Sequence, residues 1–154
     1  MKLRHFFVFI FGLLNSYLAV ASDEILRRPV QLQSEAILID ALSVTLQHAI
    51  MTSSSYQGSN PNLKRLAKAE VRKRQQDLQR LHQLAKTKTP TPKTPVSTNK
   101  NDQVYQQSIL MNHARLIELA EFGSSLKLSG PTRRFLKTLS GDVSSEFSML
   151  VNLG

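Results

Sequence analysis

His113 is the residue whose type and position most suggest a chemical role. It follows Ile109 by four positions and precedes Leu116 by three, so a helix would turn it toward the same apolar face. A histidine in that place is either a buried neutral imidazole with a hydrogen-bond partner or one ligand of a mononuclear metal site. The candidate metal ligands are His113, Glu146, Glu70 and His82. No cofactor is predicted, and a bound metal is the alternative.

Most other motifs that carry chemistry are missing. The 154 residues include no Cys, which excludes zinc fingers and thiol nucleophiles. A di-iron carboxylate bundle needs Glu-x-x-His on two helices, and no Glu in this chain precedes a His by three positions. Nucleophile elbows and glycine-rich phosphate loops are also missing. We therefore predict no catalytic residues and favour a protein that is not an enzyme.

Positive charge is the strongest unusual feature of the composition. The chain has 20 Lys and Arg against 11 Asp and Glu, which gives a net charge of +9. Residues 60–100 hold most of this excess, and helical spacing would place many of these bases side by side. Such a surface is either a solvated face or a contact for a polyanion. The candidate anion contacts are Lys64, Arg65, Lys68, Arg72, Lys73, Arg74 and Arg80.

The expected anionic partner is a component of the cell envelope, such as lipid head groups or lipopolysaccharide, or another protein. Nucleic acid is disfavoured, because no aromatic residue lies between Gln57 and Val104 to stack on bases. The same gap leaves nothing aromatic to insert into a membrane, so contact would be electrostatic and sensitive to salt.

The N-terminus is typical of a secretory signal. Lys2 and Arg4 precede a short apolar run, and residues 1–21 end in Ala-Val-Ala. We predict cleavage between Ala21 and Ser22, which lowers the net charge from +9 to +7. No later stretch is predicted to span a bilayer. The mature protein is expected to be periplasmic or secreted.

The elements that must position these side chains are helical. Apolar residues recur at steps of three and four, Asn60 and Pro61 form a helix start signal, and alternating strand patterns are weak. The predicted organisation is an irregular lead (22–33), helices at about 34–52, 60–86, 102–123 and 130–152, and a Pro/Thr-rich linker (87–101). Two helical hairpins joined by this crossover predict an all-α four-helix bundle.

The spacing of these helices resembles that of a secreted bacterial family of unknown function, often labelled outer-membrane proteins. In the second helix, Leu63–Ala67 followed by Leu78 and Leu81 resembles the apolar frame of the family. In the third helix, Tyr105 precedes His113 by eight positions, as in an aromatic–apolar–His pattern. The resemblance covers most of the mature chain and implies a ferritin-like four-helix bundle.

The chain departs from this family at its histidines. The family has an Asp-His pair in its second helix, where this chain has Lys73 and Arg74. In its last helix the family favours Pro, then His about five residues later, and the matching positions here are Ser140 and Ser145. Of three family histidines only His113 is kept, which weakens any inference of metal chemistry from the resemblance.

These observations predict an exported helical-bundle protein with a non-catalytic binding or structural role in the cell envelope. One alternative is a ferritin-like metal-binding or redox protein that uses His113. Another is a secreted factor that docks on a host or partner protein through the segment from Thr89 to Thr98. The oligomeric state is open, because apolar stripes can also pair between chains.

Overall fold

A computed structural model describes residues 35–91 and 97–151 of the chain. Within these ranges the protein has four helices and no strand. A single isolated parallel bridge joins Tyr56 to Asn99. The helices are α1 (Glu35–Ser55), α2 (Pro61–Ala85), α3 (Asp102–Ser124) and α4 (Gly130–Val151). The prediction of four helices and no strand is confirmed for the residues that the structure describes.

The start signal of α2 works as its residue types predict. The side-chain oxygen of Asn60 accepts hydrogen bonds from the backbone N–H groups of Asn62 at 2.9 Å and Leu63 at 3.3 Å. Pro61 occupies the first helical position, where its missing N–H costs nothing. At the other end the predicted helix included Lys86. In the structure α2 ends at Ala85, and Lys86 takes a left-handed conformation with φ of 54° and caps it.

α1 continues through the serines that were expected to end it near Thr52. The Ser55 hydroxyl donates to the Thr52 carbonyl at 2.8 Å, so it stays within the helix. Ser53 is buried, and its hydroxyl lies 3.2 Å from that of Tyr105 on α3. Serine breaks a helix only weakly when its hydroxyl has partners of this kind. α1 therefore continues past Thr52 and ends at Ser55.

The core is richest along α1 and α3. All the apolar residues predicted to face inward on these two helices are buried. In α1 these are Ile39, Leu42, Leu46, Ala49 and Ile50, and in α3 Tyr105, Ile109, Leu116 and Ala120. Predicted core residues of α2 and α4 that are only half-buried are Leu66, Val71, Ala85, Phe135 and Phe147. The inner faces of α2 and α4 are therefore less completely apolar.

α1 is long and apolar enough to cross a membrane by length and composition alone. Its most apolar window has a mean hydropathy of 1.3, and 56 % of that window is buried in the protein. A helix at the centre of a soluble bundle has the same composition, because it is covered by neighbours on several sides.

Contacts at both ends of the bundle establish the helix directions. Tyr56, just after α1, donates its hydroxyl to Asp102 at the start of α3 at 2.5 Å. At the opposite end, Glu35 of α1 accepts from the backbone N–H of Ser129 at 3.1 Å and from the Thr132 hydroxyl near the start of α4. α1 and α4 therefore run in one direction, and α2 and α3 run in the other.

The packing between helices is uneven. α1 packs against α2 and α3, and α4 packs against α3. α2 and α4 approach each other much less extensively. Ion pairs connect these two helices, among them the pair between Arg74 of α2 and Glu146 of α4. The least apolar seam of the bundle is therefore also where its ionisable groups meet.

Candidate functional site

α2 turns three charged residues inward. Glu70, Arg74 and Asp77 follow one another at steps of four and three, which places them on one face of the helix. Their exposed fractions are 2 %, 0 % and 8 %. Ala67 and Leu78, which are buried on the same face, flank them along the helix. The apolar stripe of α2 is thus interrupted by a buried charged segment.

Arg74 is the centre of this segment. Its Nε donates to Glu70 Oε2 at 3.1 Å and its Nη1 donates to Asp77 Oδ2 at 2.8 Å. Its Nη2 donates to Glu146 Oε2 on α4. The planar guanidinium group suits this role, because its donors point in fixed directions and its charge is permanent. Every nitrogen of the guanidinium group therefore has a carboxylate partner.

His113 reaches the same carboxylates from α3. Its Nδ1 lies 2.7 Å from the backbone carbonyl of Ile109, which can only accept a hydrogen bond. Its Nε2 lies 3.1 Å from Glu146 Oε2 and 3.4 Å from Glu70 Oε1. Both ring nitrogens therefore face acceptors, and the geometry calls for a proton on each.

The pKa of His113 agrees with this geometry. Burial lowers the pKa, but the hydrogen bonds to Glu146 and Glu70 outweigh burial and raise it to about 9. His113 is therefore an imidazolium at neutral pH. One interpretation of the sequence was a buried, neutral imidazole with a hydrogen-bond partner. The structure agrees with the burial and the hydrogen bond, but the ring is charged.

The carboxylates around these cations titrate differently. Burial raises the pKa of Glu146, but His113, Arg74 and Lys73 oppose it and bring the pKa down to about 2. Burial likewise acts on Glu70, and the same His113 and Arg74 leave its pKa lowered. For Asp77 burial prevails over Arg74, so its pKa is raised. Both glutamates are therefore ionised at neutral pH.

Lys73 closes the cluster on its solvent side. Its ammonium group lies 2.5 Å from Glu146 Oε1 and 3.4 Å from Asp142 Oδ2, both on α4. Its side chain is 35 % exposed and that of Asp142 is 47 % exposed, so water screens this pair. We call Glu70, Lys73, Arg74, Asp77, His113, Asp142 and Glu146 the ion cluster.

Three of the four predicted metal ligands converge in the ion cluster. Glu70, His113 and Glu146 each offer one ligand atom, and these atoms lie within 4.8 Å of one another. His82 lies elsewhere, with Nε2 2.8 Å from the Ser43 hydroxyl and Nδ1 2.6 Å from the Thr87 hydroxyl. The hypothesis that His82 joins this ligand set is therefore wrong.

The predicted anion contacts divide into an exposed group and an inward one. Arg74 was expected on the basic surface, and this is wrong, because it is fully buried among carboxylates. Lys73 is partly buried and paired with α4. The remaining five are exposed and make no ion pair with any described residue. They form what we call the basic face: Lys64, Arg65, Lys68, Arg72 and Arg80.

Sequence reasoning missed the inward direction of Arg74, although a local signal was available. Ala67, Glu70, Arg74 and Leu78 succeed one another at helical steps of three and four, so Arg74 lies on the line that leads to the core. Arginine is almost never fully buried unless it is paired, and one of the partners of Arg74, Glu146, lies on another helix. The spacing therefore identifies the position but not the partner.

A second buried arginine has a different environment. Arg115 on α3 is 8 % exposed, and its Nη1 lies 2.6 Å from Glu118 Oε2. Its Nε and Nη2 are buried and have no hydrogen-bond partner in the described part of the chain. Unsatisfied buried donors destabilise a fold, so Arg115 contrasts with the fully paired Arg74.

No protein-family model, curated protein or solved structure matches this chain. The predicted signal segment with its cleavage site, Ala21 and Ser22, lies outside the described residues, and so does the predicted irregular lead (22–33). Residues 92–96 of the linker and residue 152 at the predicted end of the last helix lie outside them as well.

Proposed function

We propose that this protein is exported and binds an anionic component of the cell envelope through the basic face of α2, without a catalytic centre. The carrying observation is that five exposed cations follow one helix and pair with no described residue. Exposed like charges repel one another, and a polyanion relieves this repulsion.

The surroundings of the basic face support an anionic ligand. Lys64 and Lys68 line a groove of about 620 Å³ together with Ser54 and Gln57, whose polar groups can donate hydrogen bonds. Three exposed lysines in the described parts of the connection between α2 and α3 add further positive charge. These are Lys86, Lys88 and Lys100. Such a surface recognises charge density more than shape, which fits head groups or a polyanionic sugar lipid.

The ion cluster supports a structural centre rather than a catalytic one. Its buried charges are mutually paired, and they join α2, α3 and α4. A general base needs a free acceptor beside a substrate, whereas Glu70 and Glu146 already accept from Arg74 and His113.

The proposed ferritin-like kinship has support from the same region. Two opposed helix pairs, with α2 and α3 in one direction, suit a long crossover between the hairpins. Arg74 and His113, which match two of the family histidines, contact the same carboxylate, Glu146. Ser145, which matches the third, is exposed and lies outside the ion cluster, whereas its neighbour Glu146 belongs to it.

A ferritin-like metal-binding or redox protein is the second candidate. The observation that favours it is the convergence of Glu70, His113 and Glu146. Element analysis of the mature chain, purified without a metal-binding tag, tests it. About one transition metal per chain that is lost in His113→Ala would support this candidate over the first.

The basic face is tested with lipid vesicles. The mature chain is expected to sediment with vesicles that contain anionic phospholipid, not with zwitterionic ones, and binding is expected to weaken as salt rises. The test variant changes four bases to Gln: Lys64, Arg65, Lys68 and Arg72. Each base near an anionic surface contributes about 1 kcal/mol, so this variant is expected to bind about a thousandfold more weakly.

The matched control removes the same charge elsewhere. It changes four other exposed bases, at α4 and just before it, to Gln: Lys127, Arg133, Arg134 and Lys137. If the basic face binds, the control keeps most of its affinity. Equal losses in the two variants would show that only net charge matters, and the absence of binding to anionic vesicles would reject a lipid surface as the ligand.

A further inference from the structure

Two of the three distances between ligand atoms in the ion cluster match those of a metal site. Zinc in a tetrahedral site has bonds of about 2.0–2.1 Å to nitrogen and oxygen, which separates neighbouring ligand atoms by about 3.3 Å. His113 Nε2 lies 3.1 Å from Glu146 Oε2 and 3.4 Å from Glu70 Oε1. The edges from the imidazole to both carboxylates therefore fit a divalent metal.

His113 is also oriented as a ligand would be. Metal-binding histidines usually give the proton of their second nitrogen to a carbonyl or carboxylate, which fixes the ring. Here Nδ1 lies 2.7 Å from the Ile109 carbonyl within the same helix, so Nε2 is directed toward the carboxylates. The three ligands come from three helices, α2, α3 and α4, and their positions are set by the packing of the bundle.

A cation already lies beside these ligands, and it belongs to the chain. The Arg74 guanidinium donates to both carboxylates of the set, Glu70 and Glu146, and is fully buried. Arginine does not lose its proton in proteins, so its charge cannot be removed to admit a second cation. A divalent ion would have to break the contacts of Arg74 and then remain next to a like charge.

We propose that Glu70, His113 and Glu146 are a ligand set for one divalent transition metal, and that Arg74 supplies the cation in its place. The chain thus has the ligands of a metal site, but the Arg74 guanidinium occupies the place of the metal. Removing the Arg74 charge turns the cluster into a one-metal site, in which the metal takes the place of the proton on His113 Nε2 and releases it to water. This inference is independent of the basic face and stands or fails separately from it.

Zinc and cobalt titrations of Arg74 variants test the proposal. Arg74→Gln removes the charge and keeps a polar side chain, whereas Arg74→Lys keeps the charge and is the matched control. Arg74→Gln is expected to bind one Zn²⁺ per chain at least a hundredfold more tightly than the wild-type chain or Arg74→Lys. Co²⁺ in this variant is expected to give the intense visible bands of a tetrahedral site.

The site is verified by a second substitution and by folding. Arg74→Gln combined with His113→Asn is expected to lose the tight binding. If Arg74→Gln does not fold without metal, Zn²⁺ added during refolding is expected to restore its helical circular dichroism. The proposal is overturned if folded Arg74→Gln binds Zn²⁺ no more tightly than Arg74→Lys, if the double variant still binds, or if zinc fails to restore folding. Stoichiometric metal in the wild-type chain that is lost in His113→Asn would also overturn it.

Discussion

Arg74 and Arg115 are the two buried arginines among the described residues, and changing each to methionine is expected to shift stability in opposite directions. Methionine is flexible and close to the length of the arginine stem, so it fills most of the vacated space without adding charge. The two variants therefore separate the value of a satisfied buried charge from the cost of an unsatisfied one.

The loss in Arg74→Met follows from the partners that it leaves behind. Removal of one member of a buried ion pair typically costs about 3–5 kcal/mol, because the other charge stays buried. Glu146 keeps Lys73 at 2.5 Å and His113 at 3.1 Å, whereas Asp77 loses its ion-pair partner. Since part of the compensation survives, we expect the low end of that range, about 3 kcal/mol.

The gain in Arg115→Met comes from two donors that no longer have to be buried. An unsatisfied buried donor costs about 1–3 kcal/mol. The bond from Arg115 to Glu118 is also lost, but Glu118 is 44 % exposed, so that pair contributes about 0–1 kcal/mol at most. The expected net effect is a stabilisation of about 1 kcal/mol.

Urea titration followed by far-ultraviolet circular dichroism measures both changes, with the slope of each transition as a check on two-state behaviour. The two variants are expected to differ by about 4 kcal/mol in the free energy of unfolding. The deficit of Arg74→Met is expected to shrink toward pH 4, as the unpaired carboxylates take up protons. Equal losses in the two variants, or an Arg74→Met chain as stable as the wild type, would refute the reasoning.

Three further predictions concern pH and glycine. The folded pKa of His113, about 9, lies above its ordinary value of 6.5. The stabilisation that protonated His113 gives to the fold is thus complete below pH 6.5. About 3 kcal/mol of the free energy of unfolding is lost as the pH rises through 9. Urea titrations should show this loss in the wild-type chain and not in His113→Asn. Gly141→Ala meets no atom within 4 Å and should raise the free energy of unfolding by about 0.5–1 kcal/mol, through helix propensity. Gly123→Ala places a Cβ 2.7 Å from two buried leucine side chains and should lower it by about 1 kcal/mol; a gain there would contradict the packing.

The helices themselves could be predicted from the sequence because their signals are local. In α1 the apolar residues from Ile39 to Ile50 recur at helical steps, and every predicted core position is buried. Asn60 and Pro61 mark the start of α2 through bonds that span only three residues. Capping and periodicity depend on near neighbours, so one segment of sequence contains all the information they need.

The convergence of metal-ligand candidates could be predicted only in part. His113 was recognised because it lies on the apolar line of α3, and Glu70 and Glu146 were named as its candidate partners. His82 has similar chemistry and a place on α2, yet the packing gives it Ser43 and Thr87 as partners. Residue type alone does not distinguish these outcomes, because each depends on the rotation of one helix against another.

What the sequence by itself determined is therefore the four helices of the described residues, their approximate ends and the excess of positive charge along α2. What only the tertiary structure decided is the direction of each charge. Arg74 and Arg72 stand two positions apart, yet one is buried among carboxylates and the other faces solvent. The carboxylate of Glu146 that Arg74 meets is 72 positions away. The packing of the helices decides this contact, because a buried charge is stable only where the fold places an opposite charge beside it.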